Sequence, residues 1–311
     1  MLVRVLGAAA GGGFPQWNAN SLACRRARAG DLAARPATQA SIAVSADGQR
    51  WLLINASPDL RQQIEATPAL HPGAGHPRAG LRSSPIAAVV LTNGDVDAVA
   101  GLLHLREGTP FTLYAHRRVL GVLAANPIFG VVNPELVPRC ELVEELACEP
   151  LDHAGRKLGL ELRPFLAPGK LPLYLEGQGP LDTAALAGDT LGLEISAGGR
   201  RLVYLANCAR LTEEILRRIA GADLLFLDGT LWQDDEMIRQ GVGAKTGARM
   251  GHISMSGPEG ALARLRDVAL GRRLFIHVNN TNPALLADSP ERAELEAAGW
   301  QVAEDGMELS L

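Results

Sequence analysis

The chain has 311 residues, 47% of them hydrophobic and 21% charged, with a formal net charge of −4 at pH 7. That is enough apolar mass for one large core or two modest ones, and the slight acid excess offers no basic field to nucleic acid or a membrane surface. No apolar run reaches the length of a membrane span, Met1-Leu2-Val3-Arg4 lacks the layout of a signal peptide, and Cys24, Cys140, Cys148 and Cys208 contain no CxxC pair. Reduced thiols in a cytoplasmic protein are the expectation.

Leu2 to Leu6 predicts a strand that runs into Gly7-Ala8-Ala9-Ala10-Gly11-Gly12-Gly13-Phe14-Pro15-Gln16-Trp17-Asn18. The GxGxxG spacing is absent and Pro15 opens no helix, which argues against dinucleotide binding. The glycines are expected to let the backbone turn tightly beside the site itself. Ala19 to Ala37 is rich in Ala and Arg. Ser41 to Ser45 and Trp51 to Asn55 read as strands around Asp47-Gly48, and Ser57-Pro58-Asp59 opens a helix to Ala66. Thr67 to Pro85 is a proline-rich loop in which His71 and His76 read as solvated side chains.

The apolar run Ile86 to Val90 predicts a buried strand, followed by Leu91-Thr92-Asn93-Gly94-Asp95-Val96-Asp97-Ala98 and a helical run from Val99 to Glu107. Alternate polar residues 93, 95 and 97 leaving a buried strand can converge on one point, either as a cation site or as an Asx-rich turn capping the next helix. Phe111 to Ala115 predicts a strand and Arg117 to Ala125 a helix. The proline-rich region from 126 to 185 predicts short strands, among them Leu158 to Phe165 and Leu171 to Leu175. Leu191 to Ser196 and Arg201 to Leu205 form a hairpin across Gly198-Gly199. Thr212-Glu213-Glu214 starts a helix ending near Gly221, and Asp223 to Leu227 is a buried strand with Asp228-Gly229-Thr230 at its end. Ser256-Gly257-Pro258-Glu259 reads as a capping box for a helix through Leu270. Arg273 to Val278 is a strand carrying His277, Ser289-Pro290-Glu291 caps the last helix, and Trp300 to Ala303 is a final strand. One domain over residues 1–311 with α/β layering is the simplest organisation.

Three strand-end features can carry chemistry: Asn93/Asp95/Asp97, Asp228, and His277 followed by Asn279-Asn280-Thr281-Asn282-Pro283. His252, in Gly251-His252-Ile253-Ser254, adds a second imidazole. Two imidazoles with carboxylates are a ligand set for non-haem iron and for zinc, although each histidine alone reads equally well as a core or turn residue. No GxSxG elbow supports a serine hydrolase. Cys208 reads as a buried thiol rather than a nucleophile.

From end to end the chain resembles the family of the B protein of pyrroloquinoline-quinone (PQQ) biosynthesis. The resemblance rests on Gly11-Gly12-Gly13-Phe14-Pro15-Gln16-Trp17-Asn18, Asn55-Ala56-Ser57-Pro58-Asp59, the Leu91–Asp97 stretch, Gly101-Leu102-Leu103 with Leu105-Arg106-Glu107, and Asp228-Gly229-Thr230-Leu231-Trp232. It continues in Gly241-Val242-Gly243, Lys245-Thr246-Gly247, Met250-Gly251-His252, His277-Val278-Asn279-Asn280-Thr281-Asn282-Pro283 and Asp288-Ser289-Pro290-Glu291-Arg292-Ala293. It implies a metallo-β-lactamase-like αββα sandwich, two central mixed sheets flanked by helices, with metal at one edge.

The superfamily motif HxHxDH falls on Asn93, Asp95, Asp97 and Ala98, so only Asp97 keeps its ligand type and Ala98 stands where a histidine is usual. His104 does not take over, because six residues along a helix is a rotation of about 240°. Lys170, in Pro168-Gly169-Lys170, replaces a further superfamily histidine. The family's CxCxxC falls on Ala19, Ser21 and Cys24, so no structural zinc is expected there and packing holds that loop.

The resemblance implies Fe(II) or Zn held by Asp97, His252 and His277 with Asn93, and Asp95 as a further catalytic group; charge and amide type alone suggest Lys245, Arg249, Asn279 and Asn280 as substrate-binding residues. The implied activity is iron-dependent hydroxylation of the tyrosine ring of the cross-linked Glu-Tyr precursor of PQQ. A carrier taking PQQ or its precursor towards the periplasm is the alternative, and a metal-dependent hydrolase the third reading. Partners would be that precursor, PQQ, other proteins of the pathway, and a second copy in a homodimer.

Overall fold

The computed structural model describes residues 1–73, 82–176, 183 and 186–311. His76 lies outside them. Thirteen strands are formed by the described residues: β1 (Leu2–Gly7), β2 (Ser41–Ser45), β3 (Trp51–Ile54), β4 (Ile86–Leu91), β5 (Thr112–Ala115), β6 (Arg139–Glu141), β7 (Glu161–Leu166), β8 (Leu191–Ala197), β9 (Arg200–Leu205), β10 (Leu224–Asp228), β11 (Arg272–Ile276), β12 (Gln301–Val302) and β13 (Glu308–Ser310). They make a seven-stranded sheet in the order β13-β1-β2-β3-β4-β5-β6 and a six-stranded sheet in the order β12-β11-β10-β9-β8-β7. Each sheet is mixed. β3 to β6 pair in parallel, as do β9 to β12, while the outer pairings β13-β1-β2-β3 and β7-β8-β9 are antiparallel.

The two-residue period of the strands decides the layering. On β10, Leu224 and Phe226 face the other sheet, where they pack with Tyr204, Ile276, Val44, Ile54 and Val90. Leu225 and Leu227 face outwards against Ile215, Ile219, Leu265, Leu295 and Trp300. On β3 and β4, Leu53, Val89 and Leu91 turn the other way, against Leu60, Val99, Leu102, Val119 and Leu123. Strands buried on both faces are near-continuous apolar runs, and the result is helices, sheet, sheet, helices. Each of these large side chains contributes roughly 1.5–3 kcal/mol on burial.

Several helix ends follow their sequence signals. Thr212 Oγ1 accepts from the Ile215 N–H ahead of Glu213–Ile219, and Ser289 Oγ accepts from the Arg292 N–H ahead of Pro290–Ala297. Three expected elements differ. The run from Val99 to Glu107 is the one-turn helix Val96–Val99 followed by a 3₁₀ helix, Ala100–Leu105. The helix after Ser256 is only Ala261–Arg264, with Gly260 at its cap, because Ser256 Oγ donates to the Trp232 carbonyl instead of capping. Leu171 to Leu175 is no strand: Pro172 opens a 3₁₀ turn, Leu173–Leu175, that lies over the loop after β4, and Tyr174 Oη donates to the Gly94 carbonyl.

Asp305 ties the two chain ends together. Its Oδ1 accepts from Ala8 N–H at 3.0 Å, and its Oδ2 accepts from Thr38 N–H at 2.7 Å and Thr38 Oγ1 at 2.6 Å. Burial pushes its carboxyl up to about 6, against the opposing effect of those bonds. The folded state therefore holds the proton more tightly than the unfolded chain. That stabilisation is complete below the ordinary value of 3.8 and is lost as pH rises through about 6. Urea unfolding should show the parent protein losing about 2–3 kcal/mol relative to Asp305→Asn between pH 4 and pH 7. Parallel curves for the two proteins would exclude this linkage.

Candidate metal centre

The one-turn helix Val96–Val99 beyond β4 carries Asp97, the end of β10 carries Asp228 with Thr230 just after it, His277 follows β11, and His252 follows the one-turn helix Gly247–Met250. β4 belongs to one sheet and β10 and β11 to the other, so the carboxyl ends of parallel strands from both sheets meet here, where open α/β sheets place their sites. Local backbone choices fix each side chain. Asn55 stands at φ 62° and its Oδ1 accepts from Thr92 N–H and Oγ1 at 2.9 and 3.1 Å, which sets where β4 ends. His277 stands at φ 61°, a left-handed conformation that costs of order 1–3 kcal/mol for a non-glycine residue. It is held because Val278 bonds both ways with the first glycine-rich loop, through Ala8 O and Ala10 N. Gly251, at φ 84°, ends the one-turn helix and swings His252 inwards.

The donor atoms of Asp228, His252 and His277 lie within 4.8 Å of one another, and the two imidazoles stack at 5.3 Å between centroids. The hydrogen bonds assign their protons. Asp228 is wholly buried: Oδ2 accepts from Cys208 N–H at 2.9 Å and faces His252 Nδ1 at 2.7 Å, while Oδ1 accepts from Thr230 N–H at 3.0 Å and Thr230 Oγ1 at 2.7 Å. Thr230 has one hydroxyl proton. With that proton given to Asp228, its oxygen accepts from His277 Nδ1 at 2.8 Å and His252 Nδ1 at 3.1 Å. Both rings then carry hydrogen on Nδ1 and present Nε2 as a lone pair.

His277 Nε2 faces Asp97 Oδ2 at 2.9 Å. A proton on His277 Nε2 makes this contact a hydrogen bond to the carboxylate, and with the proton on Nδ1 the two atoms can instead share a bound cation. Burial disfavours the charge on His277, but its bond to Asp97 and the surrounding carboxylates raise its pKa above the ordinary value. Burial likewise opposes charge on Asp97, and His277 overrides it to hold the carboxyl below its ordinary value. A divalent metal suits the same position: imidazole nitrogens from His252 and His277 with the carboxylate of Asp97, and Asp228 in reach behind them, are an N/O donor set for zinc or ferrous iron.

A cavity of about 480 Å³ opens over these groups, lined among others by Gly11, Gly12, Asp95, Asp97, Lys170, Tyr174, Lys245, His252, His277 and Asn279. The glycine loop does lie beside the site, as its composition suggests. Burial pushes Asp95 up to about 6, helped by the charge of Asp97 and opposed by Lys170, whose Nζ is 4.0 Å from Asp95 Oδ1.

Asn93 is not with the donors: its Oδ1 accepts from Asp95 N–H at 2.9 Å and its Nδ2 donates to Asn207 at 3.0 Å, so it shapes the turn. Lys245 lines the cavity. Arg249 reaches Glu176 at 3.5 Å, and Asn280 bonds Gln16, Asn279 and the Cys24 thiol. His104 is exposed and bonds the Pro58 carbonyl, and Ala98 is buried in the outer apolar cluster. Ser21 Oγ accepts from Cys24 N–H and caps Leu22–Arg28, while Ala19 and Cys24 pack with Phe14, Ala27 and Ala34. Cys208 is buried, with its thiol pushed up to about 12, which removes it as a nucleophile. Thr230 and Glu176 had no assigned role in the sequence. The Asp-Gly-Thr triplet at a strand end was the available signal for the first, and nothing marked the second.

Residues 50–278 match a beta-lactamase superfamily domain. Over 311 residues the chain is 55% identical to coenzyme PQQ synthesis protein B of Rhodopseudomonas palustris, covering 99% of each, and 55% identical to that of Methylorubrum extorquens, covering 100% of each. The crystal structure of Zn(2+)-bound PqqB from Methylobacterium extorquens superposes with a TM-score of 0.94 at 54% identity over 100% of both chains. A diphosphatase of the PhnP family shares the fold, with a TM-score of 0.66 at 20% identity over 99% of this chain and 96% of its own. The chain belongs to the coenzyme PQQ synthesis protein B family, within the metallo-β-lactamase superfamily.

Proposed function

We propose that the chain acts in PQQ biosynthesis as an iron-dependent hydroxylase of the tyrosine ring in the cross-linked Glu-Tyr precursor. The observation that carries this reading is the grouping of His252, His277 and Asp97 at one open cavity, with His277 Nε2 2.9 Å from Asp97 Oδ2 and both imidazoles beside Asp228. Asp97, His252 and His277 hold the metal, matching the two-histidine, one-carboxylate face that leaves coordination positions free. Ferrous iron bound there supplies the redox chemistry of oxygen insertion. One oxygen atom of O₂ enters a ring C–H bond, and the other leaves as water with two electrons from an added reductant.

The protein's own groups do the rest. Thr230 and Asp228 keep both imidazoles in the tautomer that points Nε2 at the metal. Asp95, with its carboxyl near 6, can take or return a proton at the cavity wall. Tyr174 and Val96 provide apolar surface for an aromatic ring. Zinc, held by the solved relative, is an alternative occupant of the same N/O donors. Asn93 and Asp95 offer no HxH pair for a second metal, which disfavours hydrolysis.

Protein purified without oxygen and reconstituted with Fe(II) should retain one iron per chain, and His277→Ala should lose it. With O₂, a reductant and the cross-linked Glu-Tyr precursor, the holoprotein should yield a product heavier by one oxygen atom. Absence of bound iron with PQQ binding retained would sink the hydroxylase and favour the carrier. Thr230→Val should weaken metal binding by roughly 10–100-fold, the range for lost outer-shell partners, and Thr230→Ser should restore most of it. Equal affinity in Thr230→Val would remove Thr230 from its positioning role.

A further inference from the structure

One wall of the cavity is more basic than the chain as a whole. Lys170 Nζ lies 3.3 Å from Glu176 Oε1, while Lys245 Nζ lies 3.1 Å and Arg249 Nη2 3.5 Å from Glu176 Oε2. Three cations thus converge on one carboxylate, and among the described residues Asp95 is the other acid near Lys170, at 4.0 Å. Lys170 and Lys245 both line the cavity, and the side chains of Lys170 and Glu176 are each only 14% exposed. Lys245 and Arg249 are more open, with side chains 39% and 44% exposed, so the Lys170–Glu176 pair is the shielded part of the cluster.

A folded chain has no structural need for two lysines and an arginine around one glutamate. One partner would neutralise it. The arrangement does match what a bound carboxylate requires: ammonium and guanidinium donors around one carboxylate, at the edge of a cavity that Leu173, Tyr174 and Val96 also line. The contacts on Glu176 are uneven, moreover. Its Oε1 has an ion-pair partner at 3.3 Å but no hydrogen bond of good geometry, although the atom is buried.

We infer that Lys170, Lys245 and Arg249 form a carboxylate seat for an aromatic polycarboxylate, and that Glu176 occupies this seat as an internal carboxylate until the ligand displaces it. The inference rests on the proposed function for the position of the ring over the metal, but it concerns recognition. Glu176 is a specificity element in this arrangement. A ligand without a carboxylate leaves the Glu176 ion pairs intact and gains nothing from the seat. A ligand with a carboxylate exchanges one anion for another and gains the stacking and metal-side contacts as its net advantage. Lys170, next to Asp95, links the seat to the metal side of the cavity.

The test is equilibrium binding of PQQ, a tricarboxylate, and of its trimethyl ester to the full-length protein, with and without added Zn²⁺. Glu176→Gln removes the internal competitor while keeping side-chain size, and should bind PQQ roughly tenfold more tightly with no change for the ester. Lys245→Met should bind PQQ at least tenfold more weakly, and raising the salt concentration should weaken the parent protein but not its binding of the ester. Circular dichroism and thermal melting of each variant verify the fold, and Glu176→Ala serves as a second removal of the carboxylate. Weaker PQQ binding in both Glu176 variants would make Glu176 a strut rather than a competitor and overturn the inference. So would equal affinity for PQQ and its ester, or no binding of either. Because binding alone is read, such a failure leaves iron uptake and hydroxylation to stand or fall on their own assays.

Discussion

The pair His277 Nε2 and Asp97 Oδ2 joins residues 180 positions apart, one from each sheet, across 2.9 Å. A proton on the imidazole satisfies that contact, and a bound cation can replace the proton without moving either side chain far. The costs accepted nearby make sense on that basis. His277 keeps a left-handed backbone, tied down by Ala8 and Ala10, because only that conformation turns the imidazole from the end of β11 towards the loop after β4. Asn55 keeps another, because its amide fixes where β4 stops and Asp97 begins its approach. A buried ion pair contributes little net stability once desolvation is counted, and its value here lies in specifying one geometry.

Three aspartates within this small volume are given different work by their surroundings. Asp228 is surrounded by donors from Cys208, Thr230 and His252 and acts as the fixed anchor of both rings. Asp97 faces His277 across their shared contact. Asp95 is buried without a donor of its own, at 4.0 Å from Lys170, so its carboxyl moves up to about 6. Separating similar groups by environment is how a single site obtains an anchor, a ligand and a proton carrier from one residue type.

The sandwich could be read in advance from features that act locally or over many residues: apolar runs such as Ile86 to Val90, the Thr212 and Ser289 caps, and the Gly198-Gly199 hairpin. The family resemblance then supplied the sheet arrangement, which periodicity alone does not. Asp97, His252 and His277, which the sequence reading had grouped, all line one cavity in the structure. The failures are long-range. Asn93 was misread as a donor because its amide is drawn to Asn207, 114 residues away. Ser256 looked like a cap until Trp232 claimed its hydroxyl. Leu171 to Leu175 has strand composition, but Pro172 and the docking of Tyr174 on Gly94 impose a turn. Asn280 shares the amide chemistry of its neighbour Asn279, yet alternation along the loop sends it to the Cys24 side. β13 is three residues of mixed polarity and carries too little pattern to be seen alone.

Lys170 bears on how many metals the site takes. It occupies the position where the resemblance expects a histidine, so a donor lone pair is replaced by a fixed positive charge. A second cation held by Asp95 would lie close to that ammonium. At 4 Å and an effective dielectric near 20, two unit charges cost about 4 kcal/mol, and a dication would roughly double this. Asn93 contributes no compensating charge, since its amide is engaged in the turn and with Asn207. The position that a second metal would fill is therefore electrostatically closed, and the charge of Lys170 is directed instead towards Asp95 and the carboxylate of Glu176. A two-metal hydrolytic clamp and a carboxylate seat make opposite demands on this wall of the cavity. An ammonium in place of an imidazole favours the seat proposed above over a second metal at this wall.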